Sequence, residues 1–228
     1  TYNWTAATDT ARGKVLLVHG WSGGALSMMR CVEPLRKAGF DITAIDLPAH
    51  GKSEGWQLTM PKAGRAILTT ATQLGPFSAA LTHSYGGPCI ALSLEGRPTL
   101  DQKLTLDRVA TIAAPDTLKD IIIHFGRVYG LSAQLVRYLK RHSEELAKRP
   151  LYQVSTGAFL GRAGIRALIL HDRNDDYIKV SHAERIVAKA PAATLLVTHH
   201  LGHRNSIMTP DVIKSAARFL TTTPTANS

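Results

Sequence analysis

Short apolar runs recur along this chain, and helical patterns separate them. Lys14-Val15-Leu16-Leu17-Val18-His19 is the first. Ile42 to Asp46, Ser78 to Thr82, Arg108 to Ala113, Ile165 to His171 and Thr194 to Thr198 follow. The runs are nearly continuous rather than alternating, which is the pattern of strands buried on both faces. Between them lie stretches with helical spacing. Met28, Cys31, Val32 and Leu35 share one face of a helix closing at Gly39, and Met60 to Leu74 is stopped by Gly75-Pro76. Gly87 to Glu95, Ser181 to Ala190 and Pro210 to Leu220 complete the series. Strand and helix in turn predict an α/β fold around a parallel sheet. With 228 residues the chain is read as a single domain, 1–228, large enough for a substantial core. Residues 1–13 are polar and poorly patterned, so an edge strand is the most they are expected to give. The polar tail from Thr221 is expected to be mobile.

One stretch breaks the alternation. Residues 115–164 hold no convincing strand but carry amphipathic spacing, first at Ile121, Phe125 and Val128, then at Leu131, Leu135 and Leu139. A helical insertion between two sheet strands is expected there.

Composition excludes several classes. Lys+Arg number 27 against 17 Asp+Glu, a formal charge of +10. Such a field attracts anions at long range. The basic residues are scattered, however, and no nucleic-acid motif accompanies them, so no nucleic-acid partner is expected. No run is long and apolar enough for stable membrane insertion. Cys31 and Cys89 sit among apolar residues of predicted helices and are expected to be buried thiols, not a disulfide framework. No signal-peptide pattern is legible, and a cytoplasmic location is expected. The oligomeric state is not legible.

Ligands of open parallel sheets bind beyond the carboxyl ends of the strands. The first strand ends in His19-Gly20-Trp21-Ser22-Gly23-Gly24. The third ends in Thr82-His83-Ser84-Tyr85-Gly86-Gly87, and a helix follows at once. Strand, sharp turn, helix is the setting of a nucleophile elbow, where small residues let two backbones pass closely. Thr82 stands where a first glycine is usual. Ser-x-Gly alone also describes an ordinary loop. Asp175 follows the fifth strand and His203 the sixth, giving the order serine, acid, histidine. Asp172 and Asp176 beside Asp175, and Asp116 after the fourth strand, remain candidates for the acid. His199, His200 and His203 could be read as a metal cluster, but no further histidine–carboxylate motif supports one, and no metal or cofactor is expected.

The pieces "HGWSGG", "DLPAHGKS", "THSYGG", "HDRNDDYIKV" and "LGHRNSIMTPDVI" occur in that order. Through them the chain resembles the α/β-hydrolase superfamily over nearly all of its length. The resemblance implies a mostly parallel sheet flanked by helices, with residues 115–164 as a helical cap. It implies Ser84 as nucleophile, His203 as base and Asp175 as the acid that orients it. Backbone N–H groups of Trp21 and Tyr85 would form the oxyanion hole. The pocket would be lined by Trp21, Tyr85, Ile121, Phe125 and Leu131. Asp46 to Ser53 would be a structural turn held by His50. One departure stands out: Lys179 occupies the position where the family carries a proline after the acid. The implied activity is cleavage of a small-molecule carboxylic ester with a small to medium acyl chain. The same triad could act on a lactone, thioester, amide or carbon–carbon bond. A non-catalytic ligand-binding form of the fold is the rival from another class.

Overall fold

A computed structural model describes residues 1–221. The tail expected to be mobile lies, after Thr221, outside the described residues. The chain begins with β1 (Tyr2–Trp4), β2 (Gly13–Val18), a 3-10 turn at Ala25–Met28, α1 (Met29–Lys37), β3 (Phe40–Ile45) and α2 (Met60–Leu74). It continues with β4 (Ala79–His83), α3 (Gly86–Glu95), β5 (Arg108–Ile112), α4 (Leu118–Val128) and α5 (Ala133–Ala147). Last come α6 (Thr156–Ala163), β6 (Arg166–Asp172), α7 (Ser181–Lys189), β7 (Ala193–Thr198), α8 (Gly202–Ser206) and α9 (Pro210–Thr221). The strands form one sheet in the order β1-β3-β2-β4-β5-β6-β7. All neighbours are parallel except β1, which runs antiparallel along β3 at the edge.

The apolar runs are explained by the two layers of helix. Successive side chains of a strand point to opposite faces. In β2, Leu16 and Val18 pack on one side with Ile67 of α2, Ile90 of α3, Phe159 of α6 and Ile186 of α7. Val15 and Leu17 pack on the other with Leu35 of α1 and Val212 of α9. All four β2 residues are fully buried, and each contributes about 1.5–3 kcal/mol of burial before chain entropy is set against it. Cys31 and Cys89 are buried free thiols. Among the described residues no helix is long and apolar enough to cross a membrane.

The helical stretch 115–164 divides in two. α6 packs against α3 and α7, with Phe159 and Leu160 buried, and belongs to the layer flanking the sheet. α4 and α5 instead line the cavity that holds Ser84. Their excursion is closed at its root. A bridge pairs Thr117 with Ser155. Asp116, 1% exposed, accepts from Ser155 Oγ at 2.6 Å, from the Gly157 N–H at 3.1 Å and from Lys189 Nζ of α7 at 2.7 Å. Burial works against ionising Asp116, but Lys189, Ser155 and Gly157 outweigh it and hold the carboxyl below its usual range.

Candidate active site

Parallel register brings the carboxyl ends of β2, β4, β5, β6 and β7 to one edge of the sheet. Ser84 follows β4 directly. Its φ of 51° lies in the left-handed region, a conformation that costs a non-glycine residue about 1–2 kcal/mol. The turn is held by the Ser84 N–H donating to Ile112 O (2.9 Å) and the Gly87 N–H donating to Ser84 O (3.0 Å). The close approach falls on the helix side. A Cβ on Gly86 would collide with the carbonyls of Val18 and His19. A Cβ on Gly87 would collide with Ala114 but would meet the Thr82 hydroxyl only at an ordinary contact distance of 3.6 Å. Thr82 itself is fully buried beneath the turn.

His203 lies on α8, one turn beyond the end of β7. Its Nδ1 is 2.7 Å from Asp175 Oδ2, and its Nε2 is 3.0 Å from Ser84 Oγ. A carboxylate only accepts, so Nδ1–H donates to Asp175 and the Nε2 lone pair accepts from the Ser84 hydroxyl. Asp175 is fully buried, and its Oδ1 accepts from the N–H groups of Tyr177 (2.9 Å) and Ile178 (2.8 Å). Burial opposes its ionisation, but His203 and the Ile178 N–H prevail and keep the carboxyl below the ordinary range.

The other aspartates do different work. Asp172 accepts from the Gly202 N–H at 3.1 Å and from Thr198 Oγ1 at 2.8 Å, tying the loop that carries His203 to β6. The Asp176 side chain is 91% exposed and meets Lys179. Asp116 is the clamp described above. Lys179, where a proline was expected, is paired at the surface and leaves the turn intact.

Trp21 and Tyr85 meet edge to face with centroids 5.6 Å apart, and Phe125 of α4 reaches Trp21 at 6.3 Å. The N–H of Ser84 is taken by Ile112 and that of Ser22 by His50 Nε2 (3.1 Å). Among the described residues no group accepts from the N–H of Trp21 or of Tyr85. His50 also donates through Nδ1 to Pro48 O at 3.0 Å, and Asp46 accepts from the Ala25 and Lys52 N–H groups. The segment from Asp46 to Ser53 is thus a braced turn beside the site.

Ser84 and His203 open into a cavity of about 1070 Å³ with Trp21, Tyr85, Ile121 and Phe125 in its wall. Leu131, expected there, is not in the wall. The helical spacing that included it spans a break: Gly130, at φ 62°, ends α4, and the Leu131 N–H turns back to Gly126 O. Other wall residues had no signal in the sequence reading. Tyr177 packs at 5.5 Å on the ring of His203, and Trp56 stands fully exposed at the mouth. His83 donates from Nε2 to His203 O at 3.2 Å, and burial with the nearby His203 pushes its pKa down to about 4. The His199 and His200 rings stack near each other at 6.2 Å, away from the Asp175–His203 contact. Among the described residues no three His, Cys, Asp or Glu side chains gather as a metal site.

A family model described as "Alpha/beta hydrolase family" matches residues 15–216. The chain belongs to that family. Solved structures agree with it on the fold. An esterase from Exiguobacterium antarcticum is 15% identical with a TM-score of 0.72, over 97% of this chain and 94% of that one. A thioesterase domain from the curacin biosynthetic pathway is 15% identical with a TM-score of 0.66, over 96% and 93%. A bromoperoxidase from Bacillus anthracis is 15% identical with a TM-score of 0.68, over 96% and 94%. No curated protein sequence matches the chain significantly. The neighbours' differing chemistries leave the reaction of this hydrolase-family member to be argued from its own site.

Proposed function

We propose that this hydrolase-family protein is a serine esterase working through an acyl-enzyme. The observation that carries the reading is the hydrogen-bonded series Asp175–His203–Ser84 opening into an apolar cavity. Ser84 Oγ attacks the acyl carbon while its proton passes to His203 Nε2. Asp175 holds the ring in the productive tautomer and stabilises the imidazolium. Charge develops on the former carbonyl oxygen, and the unpaired N–H groups of Trp21 and Tyr85 are the donors that would receive it. Each such donor is worth about 3–4 kcal/mol in the transition state. His203 returns the proton to the alcohol as it leaves. Water, deprotonated by His203, then releases the acid. α4 and α5 serve as the cap over this chemistry, and the chain supplies every group the sequence of steps needs.

The test is Ser84→Ala, assayed on short p-nitrophenyl esters and on a panel of lactones, thioesters and amides. Ester hydrolysis is expected to fall by at least about 10⁴-fold with the circular dichroism spectrum unchanged. Turnover that survives the substitution sinks the assignment. Wild-type turnover confined to another panel member moves the substrate class and keeps the nucleophile.

A further inference from the structure

The cavity is not a round cup under the cap. On α5 its wall is Leu139, His142, Ser143, Leu146 and Ala147, the positions i, i+3, i+4, i+7 and i+8 of one helical face. Eight residues of helix advance ~12 Å, so the cavity follows α5 for that distance. Tyr85, just before α3, and Leu92, two turns or ~10 Å further along that helix, also stand in the wall. Phe159 of α6 and Thr99 stand at the far end. The Thr99 hydroxyl already donates to Ala147 O at 2.7 Å, so it closes the arm without asking for a ligand partner. Among the described residues Arg204 is the one in the wall with a fixed charge, and it lies beside His203, not in this arm.

His203 marks the leaving-group side, because it must hand its proton to the departing alcohol. That side is walled by Tyr177, His124 and Arg204. The arm between α3 and α5 leads from Ser84 to a different set of residues. We propose that this arm is the acyl site, and that it selects a straight, uncharged acyl chain of medium length. An extended chain gains ~1.3 Å per carbon at ordinary bond lengths, so ~12 Å holds roughly eight to ten carbons. This inference rests on the esterase reading and gives its substrate a length.

A p-nitrophenyl ester series from acetyl to tetradecanoyl reads the arm directly. Each fully buried methylene contributes up to about fourfold, and under half of that free energy over the added carbons is enough for the ~100-fold rise in wild-type kcat/KM expected from acetyl to decanoyl, after which it levels off. Ser143→Trp and Leu146→Trp place bulk in the arm from the partly exposed α5, where the core does not depend on either side chain. Both are expected to lower the decanoyl-to-acetyl ratio of kcat/KM at least tenfold and to shorten the preferred chain. A wild-type preference for acetyl, or equal losses on both esters, overturns the acyl arm while leaving the esterase reading in place. Should no ester of any length turn over, the esterase reading falls, and titration with free decanoate still decides the arm. Binding weakened at least tenfold by Ser143→Trp supports it, and binding indifferent to that substitution overturns it.

Discussion

Asp172, Asp175 and Asp176 share one turn, yet each meets different surroundings. Asp175 points inward to His203, Asp172 accepts from Gly202 and Thr198, and Asp176 faces water. Residue type alone does not order the three acids; the family resemblance implied Asp175, and backbone direction is what turns that side chain to His203. The N–H groups of Tyr177 and Ile178 turn towards Asp175 Oδ1 and fix that direction. Ser84 and His203, expected from residue type and position at strand ends, lie within hydrogen-bond distance of each other. Asp175→Asn is expected to lower kcat by about 10⁴-fold, because an amide can donate to Nδ1 and reverse the tautomer. Asp176→Asn should stay within about twofold of wild type. A larger loss at Asp176 than at Asp175 in steady-state assays would move the acid.

At the scale of elements, most strands and flanking helices could be read from periodicity. Two elements could not. α8 spans five residues, too short to show a helical period, although it carries His203. α6 lies in the strandless stretch 115–164, so the sequence grouped it with the expected cap. Its packing against α3 and α7 is a tertiary fact that spacing does not carry. The boundary between the α4–α5 excursion and the rest of the fold is instead drawn by Asp116. Its clamp joins the start of the α4–α5 excursion to its end and to α7. Breaking a buried charge pair leaves one partner uncompensated and costs about 3–5 kcal/mol. Lys189 is 39% exposed here, so about 2 kcal/mol is expected for Asp116→Ala after screening. Urea unfolding at neutral pH measures it. A depressed folded-state carboxyl stabilises above its unfolded pKa of about 3.9, and that contribution is lost as pH falls through the folded value. The gap between wild type and Asp116→Ala should accordingly be full at pH 6 and shrink on acidification below about pH 4. A gap independent of pH would count against the ionic clamp.

For the whole molecule, two effects bear on which substrate is taken, and they oppose each other. The formal charge of +10 draws anions towards the surface. The cavity offers an anion little once it arrives, since among the described residues Arg204 is the one in the wall with a fixed charge and the α3–α5 arm has none. At physiological salt, attraction between exposed charges is screened within about 8 Å. The arm's polar wall residues, His142 and Ser143, supply no fixed charge, and moving a carboxylate there without a charged partner costs several kcal/mol. Desolvation therefore outweighs steering, and the net charge, although the most conspicuous property of the composition, is not a guide to the substrate. The comparison that tests this balance is p-nitrophenyl decanoate against the same ester carrying a terminal carboxylate, at about 0.15 M salt. The charged ester is expected to be at least about 100-fold poorer in kcat/KM. Its deficit should persist at low salt, where steering is strongest and recovers only a fraction of the loss. A charged ester that equals or exceeds the neutral one would mean that the basic surface continues into the acyl site, and the arm would have to be assigned to an acidic chain.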